Sequence, residues 1–497
     1  MPAVTCIRNA DWAVAWDPIE RRHVYQRDVD VAFQGSQIVF VGSGYGGTVD
    51  EVIDGRRLLV MPGLVNLHAH PTTEPAHKGV REEHGVREMY MTGLYERVVG
   101  FRLDEDGRKA AAEVAYSELL ASGVTTLLDL SPPFPGWIDL IARSGLRGFV
   151  APGYASSRWH LENNHEVKFQ WDEAAGRRGR DEALRLIGEA ERHACGRLTG
   201  VVYPIQIDTC TEELLKDSID LSRQIDRPLV THAAQSVPEF LLMVQRHGTT
   251  PIQWAHEIGL LGSRTILGHA IFIDEHSWLR WWSRRDLDLL AESQTSVAHC
   301  PTPFARYGQL LEDFGRYLRR GVNMGIGTDV SPHNLLEEMR WAAVLARIAA
   351  KDIAAVGTGD IFHAATIGGA RALGRDDIGR LAPGAKADLV LVDLSDPTMV
   401  PVRDPLRSLI YTAAERAVRD VYVDGVKVVA DRKVLTLNRQ EAAGRLADAQ
   451  RRMLDAVPRY DYAGRSAETI VPLCLPLAGA RPSAPSRAPV TDPTASR

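Results

Sequence analysis

MPGLVNLHAHP, residues 61–71, is the stretch that decides the fold of this chain. It predicts a short buried strand that ends in two histidines one residue apart. Because side chains alternate between the two faces of a strand, residues i and i+2 point the same way. His68 and His70 can therefore direct both imidazoles to one point, as a transition-metal site requires. A single His-x-His pair is weak evidence by itself, because histidines at strand ends are often only hydrogen-bonded.

Three later apolar runs end in the same way. Residues 227–232 (RPLVTH) and 264–269 (RTILGH) each close on a histidine, and residues 321–329 (GVNMGIGTD) close on a carboxylate. Helical stretches separate the runs, which is typical of a parallel barrel whose C-terminal strand ends meet at one rim. Dispersed side chains would then converge there. Three nitrogens and one carboxylate suit zinc with one position open for water.

The order His-x-His, His, His and Asp on successive strands resembles the amidohydrolase superfamily of metal-dependent hydrolases. The flanks agree, because residues 30–42 resemble its N-terminal β segment and residues 378–390 and 421–425 resemble its C-terminal return. The closest branch holds triazine, phenylurea and thiocarbamate hydrolases and cytosine and guanine deaminase-like enzymes. The resemblance implies an α/β fold, a distorted (β/α)8 TIM barrel with a small β-sandwich domain built from both chain ends.

The domain organisation follows from the same patterns. We expect residues 1–60 and 384–437 to form the small β-sandwich domain and residues 61–383 to form the catalytic barrel. Residues 438–477 predict a C-terminal helical extension, since residues 438–457 have helical periodicity. Residues 478–497 are rich in proline, alanine and serine and predict a disordered or draped tail.

Composition excludes several classes of protein. The 497 residues are 45% hydrophobic and 25% charged, as in an ordinary globular protein. The net charge of -6 does not indicate the basic surface that binds nucleic acid. No apolar run is long enough to span a membrane. Five cysteines without a Cys-x-x-Cys pair, and no signal-peptide pattern, predict reduced thiols in a cytoplasmic protein. We expect a small-molecule substrate and a homo-oligomer, dimeric or higher.

The resemblance also implies a metal centre. One divalent metal would be held by four residues: His68, His70, His232 and Asp329. Zinc is the first choice, with Fe²⁺, Mn²⁺ and Co²⁺ as alternatives. Asp329 would take the proton of the attacking water, and His269 would contact that water or the substrate. Residues 198–207, the candidate fourth strand, lack the carboxylated lysine of two-metal members. The sequence therefore favours a mononuclear centre, and because no metal ligand is lost, an inactive scaffold is disfavoured.

The residue at position 235 indicates which type of reaction the enzyme catalyses. The deaminase branch has His-x-x-Glu where this chain has His232 followed by Ala-Ala and Gln235. Glutamine cannot ionise, so it cannot shuttle a proton to a ring nitrogen or to leaving ammonia. The sequence thus favours hydrolysis of an amide-like C–N bond, in an amide, urea, carbamate or cyclic amide, including phenylurea- or anilide-like xenobiotics. The alternative is a deaminase or dechlorinase of a purine, pyrimidine or s-triazine heterocycle.

Five residues are predicted to contact the substrate: Gln235, His269, Phe304, Lys78 and His160. Phe304 follows the seventh strand and suggests an apolar substrate. Lys78 lies in the loop after the first strand, residues 70–79, which should overhang the site. His160 lies in a second long loop, residues 154–165, which we expect to form a wall or lid.

Overall fold

A computed structural model of the protein describes residues 2–478. Its strands, in chain order, are β1 (Val4–Asp17), β2 (Arg22–Gln34), β3 (Gln37–Gly42), β4 (Glu51–Asp54), β5 (Leu58–Pro62), β6 (Leu64–Ala69), β7 (Val124–Ser131), β8 (Arg147–Tyr154), β9 (Ser157–Leu161), β10 (Val167–Trp171), β11 (Leu198–Gly200), β12 (Tyr203–Pro204), β13 (Leu229–Ala233), β14 (Thr265–His269), β15 (Ser296–His299), β16 (Asn323–Ile326), β17 (Leu389–Asp393), β18 (Val418–Val423), β19 (Val426–Ala430) and β20 (Lys433–Val434).

The α-helices, in chain order, are α1 (Leu94–Gly100), α2 (Glu105–Ala121), α3 (Trp137–Ser144), α4 (Glu173–Glu191), α5 (Glu212–Ile225), α6 (Val237–His247), α7 (Pro251–Glu257), α8 (Asp286–Glu292), α9 (Pro301–Arg306), α10 (Phe314–Arg320), α11 (Leu335–Ala350), α12 (Thr358–His363), α13 (Gly369–Ala372), α14 (Pro405–Ser408), α15 (Arg439–Ala456) and α16 (Ala467–Ile470). Side chains cap several of these helices, as Thr211 does for α5 and Ser236 for α6.

Two parallel sheets form the barrel. One has the order β11-β8-β7-β6, with β12 also paired to β8, and the other has the order β13-β14-β15-β16. Isolated parallel bridges close both seams, Val202 to Leu229 and Gln206 to His232 at one and Ala69 to Asp329 at the other. The predicted distorted (β/α)8 barrel is therefore confirmed. Every residue of β6, β7, β13 and β14 is buried, as expected for parallel strands covered on both faces.

Strands from the N-terminal and C-terminal parts of the chain pair in a separate sheet outside the barrel. This nine-stranded sheet has the order β20-β19-β18-β17-β5-β1-β2-β3, with β4 paired to β1. Strand β17 runs antiparallel to β5, which continues directly into the first barrel strand. A buried ion pair ties this sheet to the barrel, since Nε of Arg147 lies 2.9 Å from Oδ2 of Asp388. The small β domain assembled from both chain ends is thus confirmed.

Helix α15 lies within the segment predicted as a C-terminal helical extension. Leu446 and Met453 on α15 share a hydrophobic cluster with Ala110 and Val114 on α2. The predicted tail lies outside the described residues apart from residue 478. Among the helices of residues 2–478, none combines the length and apolar character needed to cross a bilayer.

Candidate active site

The predicted metal ligands lie at the ends of three barrel strands, and their side chains lie close together. His68 belongs to β6 and His70 follows it, His232 lies in β13 and Asp329 follows β16. The Nε2 atoms of His68 and His232 lie 3.2 Å apart. Oδ1 of Asp329 lies 3.3 Å from Nε2 of His70 and 3.6 Å from Nε2 of His68. One imidazole nitrogen from each of the three histidines falls within a 4.8 Å cluster.

These separations fit one metal ion. Two ligand atoms about 2.1 Å from a tetrahedral zinc lie about 3.4 Å from one another. The observed separations scatter around that value. Two buried imidazole nitrogens at 3.2 Å cannot both carry protons without repulsion, so His68 and His232 are suited to face a cation. The residues present therefore fit a single divalent metal.

Backbone carbonyls orient two of the ligands. Nδ1 of His70 lies 2.8 Å from the carbonyl oxygen of Leu130, and Nδ1 of His232 lies 2.7 Å from that of Ile205. A carbonyl only accepts, so both Nδ1 atoms must carry the proton. Each Nε2 then keeps its lone pair for the metal.

Asp329 is held by the first strand. Its backbone N–H donates to the carbonyl of His68 at 2.8 Å, and its carbonyl accepts from the N–H of His70 at 3.2 Å. Asp329 has a φ of 57°, a left-handed conformation that non-glycine residues adopt only when their surroundings enforce it. His269, with a φ of 90°, is strained in the same way at the end of β14. The site thus stores backbone strain at both predicted catalytic residues.

Asn66 is a supporting residue that the sequence interpretation missed. Its Nδ2 donates to Oγ1 of Thr328 at 2.8 Å, and its Oδ1 accepts from the backbone N–H groups of His68 and Thr328, each at 3.2 Å. It therefore couples β6 to the turn that carries Asp329. The signal was present, because alternation along a strand puts residue 66 on the same face as residues 68 and 70.

Two glycines make room for the ligands. A Cβ atom on Gly268 would lie 2.8 Å from Cε1 of His68 and 3.2 Å from Cδ2 of His232. A Cβ atom on Gly327 would lie 2.5 Å from Cβ of His68. Neither glycine is needed for a turn. Both positions require glycine because any side chain would displace an imidazole of the predicted metal site.

Burial keeps the histidines neutral. It holds the pKa values of His68 and His269 well below the ordinary value, and nearby histidines lower them further. Burial also lowers the pKa of His232 to about 4. All three rings are therefore ready to act as lone-pair donors at neutral pH. Cys300 lies near His68 and His269, but burial raises the pKa of its thiol well above the usual value, which disfavours a thiolate ligand.

A cavity of about 370 Å³ is lined by three of the predicted metal ligands, His70, His232 and Asp329. It is also lined by three of the predicted substrate-contacting residues, Gln235, His269 and Phe304. The Phe304 ring packs edge-on against His269, with centroids 4.6 Å apart. Nε2 of Gln235 is buried and has no hydrogen-bond partner among the described residues. This amide N–H is therefore free to donate to a substrate.

The structure places the other two predicted contacts outside this cavity. Nζ of Lys78 lies 2.6 Å from Oε1 of Glu118 on α2, so Lys78 points toward that helix. His160 lies on β9, and Nε2 of its exposed ring is 3.6 Å from Oε1 of Glu162. The neighbouring Trp159 lines the cavity instead, because adjacent strand residues face opposite sides. The predicted wall is present, but a different residue of it faces inward.

The comparisons with known proteins agree with this geometry. The model of the amidohydrolase family matches residues 59–428. A 5-methylthioadenosine/S-adenosylhomocysteine deaminase of Natronomonas pharaonis is 30% identical over 438 residues, covering 87% of this chain and 95% of that protein. A 5'-deoxyadenosine deaminase of Methanothermobacter thermautotrophicus is 30% identical over 393 residues, covering 78% and 85%.

Solved structures show the same fold. Atrazine chlorohydrolase TrzN from Arthrobacter aurescens TC1, complexed with zinc, superposes with a TM-score of 0.76 at 23% identity. The superposition covers 90% of this chain and all of that one, 100%. The family match over residues 59–428 shows that the chain belongs to the amidohydrolase family. It is accordingly an enzyme, a hydrolase that acts on carbon–nitrogen bonds other than peptide bonds.

Proposed function

We propose that the enzyme is a metal-dependent deaminase that replaces an exocyclic amino group of a nitrogen heterocycle by oxygen, with an adenine-type ring as the leading candidate. The observation that carries the proposal is the similarity, along nearly the whole chain, to deaminases of adenosine-type compounds. The cavity supports it, because its aromatic and apolar lining, including Phe304, Trp159 and Leu130, suits a flat ring. This favours the alternative that the sequence left open over amide hydrolysis.

The chain's residues supply the proton transfers. A bound divalent metal, held by the three histidines and Asp329, would lower the pKa of a water ligand to about 7 and so provide a nucleophile at neutral pH. Asp329 is positioned to accept the proton of the attacking water and return it to the leaving nitrogen. Ring C–NH₂ and water thus become ring C=O and ammonia. The amide N–H of Gln235 would donate to the ring nitrogen, where negative charge develops.

A second candidate is hydrolysis of an amide-like C–N bond, which Gln235 specifically favours. Of the described residues that line the cavity, the carboxylates are Asp329 and Glu74. Glu74 is engaged by Arg81 and Arg97, with both N–O distances 2.7 Å. Neither is the glutamate of the His-x-x-Glu pattern. An amide or urea carbon needs no proton on a ring nitrogen, so it would react without that group.

The two candidates are separated by product analysis of the zinc-loaded enzyme. Ammonia release is measured with adenosine, 5'-deoxyadenosine, 5-methylthioadenosine, guanine and cytosine. Amine release is measured with a phenylurea, an anilide, a carbamate and a cyclic amide. The proposal predicts ammonia from an adenine-type compound, with Asp329→Asn as the inactive control. Turnover confined to the amide-like panel would overturn it in favour of the second candidate.

A further inference from the structure

Four arginines line the cavity that holds the metal-binding residues. We define the arginine wall as these four residues: Arg81, Arg97, Arg102 and Arg108. All of them come from the segment between β6 and the first turn of α2. Among the described residues, the lining carboxylates are Glu74 and Asp329. Arginine stays protonated in proteins, so the lining has a surplus of positive charge even before a metal binds.

Two of the arginines form a buried cluster around one carboxylate. Arg81 and Arg97 both pair with Glu74, and all three side chains are nearly inaccessible to water. Burial alone would raise the pKa of Glu74, but the two guanidinium groups outweigh it and hold that pKa well below its usual range. Burial lowers the pKa of the adjacent His77, which favours its neutral form. The cluster therefore keeps one net positive charge. The Nε atoms of both arginines are buried without a partner among the described residues.

The other two arginines have no carboxylate partner within ion-pair distance in the described part of the chain. Nε of Arg102 donates to the carbonyl of Val99 at 2.8 Å, and its guanidinium lies 4.5 Å from the ring centroid of Tyr460. These contacts fix the side chain without neutralising it. Asp104 is close in sequence to both arginines, but its carboxylate bonds to Arg452 at 2.7 Å.

The position of Arg108 is locally unfavourable. It lies in the first turn of α2, the positive end of the helix dipole, where a cation is disfavoured. The protein as a whole has a net charge of -6, so this concentration of arginines does not follow from composition. A cluster of one sign in a cleft with low-dielectric walls attracts ligands of the opposite sign.

We propose that the substrate carries an anionic group, a carboxylate or a phosphate, that binds the arginine wall while its reactive ring reaches the metal-binding residues. Both groups offer oxygens that match the guanidinium fork. A single cavity of about 370 Å³ is lined by the arginines and by His70, His232 and Asp329, so one ligand can contact both. The identity of the ring rests on the proposed function, whereas the need for an anion rests on the arginine wall alone.

The test combines binding and turnover on the zinc-loaded full chain. Binding of inosine and of inosine 5'-monophosphate, which have no amino group to release, is measured by calorimetry. Ammonia release is measured with adenosine, adenosine 5'-monophosphate and adenosine 5'-carboxylate. The variants are Arg102→Gln and Arg108→Gln, because removal of Arg81 or Arg97 would leave Glu74 buried with one partner fewer. The matched control is Arg178→Gln on the exposed face of α4.

The anion should strengthen binding roughly ten- to a hundredfold, as charged hydrogen bonds do. Arg102→Gln and Arg108→Gln should each erase most of this preference, and Arg178→Gln should not. Faster turnover of the phosphate or of the carboxylate identifies the anion. Equal binding of inosine and its monophosphate, or binding of neither, would overturn the inference. If none of the substrates releases ammonia but the arginine-dependent binding preference is present, the result counts against the deaminase proposal only.

Discussion

Nε2 of His68 and Nε2 of His232 lie 3.2 Å apart inside the barrel, and both rings are buried. In His232 the proton is fixed on Nδ1 by the carbonyl of Ile205, so its Nε2 presents a lone pair toward His68. Nδ1 of His68 has no partner among the described residues, so Nε2 of His68 can present a second lone pair when a cation lies between the two rings. A divalent cation at this point would accept both lone pairs and so couple metal binding to the stability of the fold.

Elemental analysis of protein purified without chelator should find about one divalent metal per chain. The structure supports a single ion, because the fourth barrel strand brings Tyr203 and Gln206 to the rim where a two-metal enzyme has a lysine. Removal of the metal should also lower the unfolding temperature, measured by calorimetry. A firmly bound ratio near two would contradict the mononuclear centre.

Asp329→Asn should lower kcat on the order of a hundredfold or more, because asparagine cannot accept the water's proton. The fold should survive, since residue 329 is fixed by backbone hydrogen bonds to His68 and His70 that the substitution leaves in place. The measurement is kcat at full metal loading, confirmed by elemental analysis. Asp220→Asn on the exposed face of α5 is the matched control. A near-normal kcat in the metal-loaded Asp329→Asn variant would show that Asp329 is not the general base.

Gly268→Ala should weaken metal binding roughly ten- to a hundredfold, the loss typical of a misdirected ligand. The added methyl would press on the rings of both His68 and His232. Affinity is measured by competition with a chelator. Gly262→Ala, just before the same strand, is the control, because nothing lies within 4 Å of its added Cβ. Equal affinities for the two variants would show that the rings tolerate the displacement.

Gln235→Glu should raise kcat for deamination roughly tenfold or more, because a carboxyl group at this position can donate a proton to the ring nitrogen. Gln235→Met preserves the length of the side chain and should lower kcat instead, since it removes the free amide donor. Both are assayed by ammonia release from the adenine-type substrate. If the glutamate variant gained activity only on amides or ureas, the second candidate function would be preferred.

The contribution of Asp208 to the free energy of unfolding should fall as pH rises from about 4 to about 7, opposite in sign to the contribution of the buried neutral histidines. Burial raises the pKa of this carboxyl from 3.8 to about 7. Over that range the unfolded chain has lost the proton while the folded protein retains it, so rising pH favours unfolding. The nearby Glu239, whose pKa is raised to about 8 by burial and by Asp208, acts in the same direction.

Asp208→Asn removes this titration. Urea unfolding should show the variant gaining about 1–3 kcal/mol over the wild type at pH 8, and less at pH 5.5. The oxygen of asparagine can still accept from Nε1 of Trp159, which lies 3.3 Å from Oδ2 of Asp208. Asp220→Asn serves again as the exposed control. An identical difference at both pH values would mean that Asp208 is ionised throughout.

Gln235 shows how far a local sequence argument reaches. Its inability to ionise made amide hydrolysis the first interpretation, yet the relatives that match nearly the whole chain are deaminases. The residue does line the cavity, and the inference that it contacts substrate stays a prediction. The reaction depends on every group around the substrate, so a change at one position does not decide it.

Local sequence patterns predicted the barrel and the small β domain from both chain ends, which the structure confirms, and four candidate metal ligands, which the structure brings together. They did so because strand alternation, apolar runs and the common rim of parallel strands act through short-range geometry. The tertiary structure alone decided which loop residues line the cavity. The side chain of Lys78 pairs with Glu118 outside the cavity, and Trp159 lines the cavity where His160 was predicted to do so. The residues of the arginine wall share no local sequence pattern. Those choices depend on the packing of distant segments, which no local periodicity encodes.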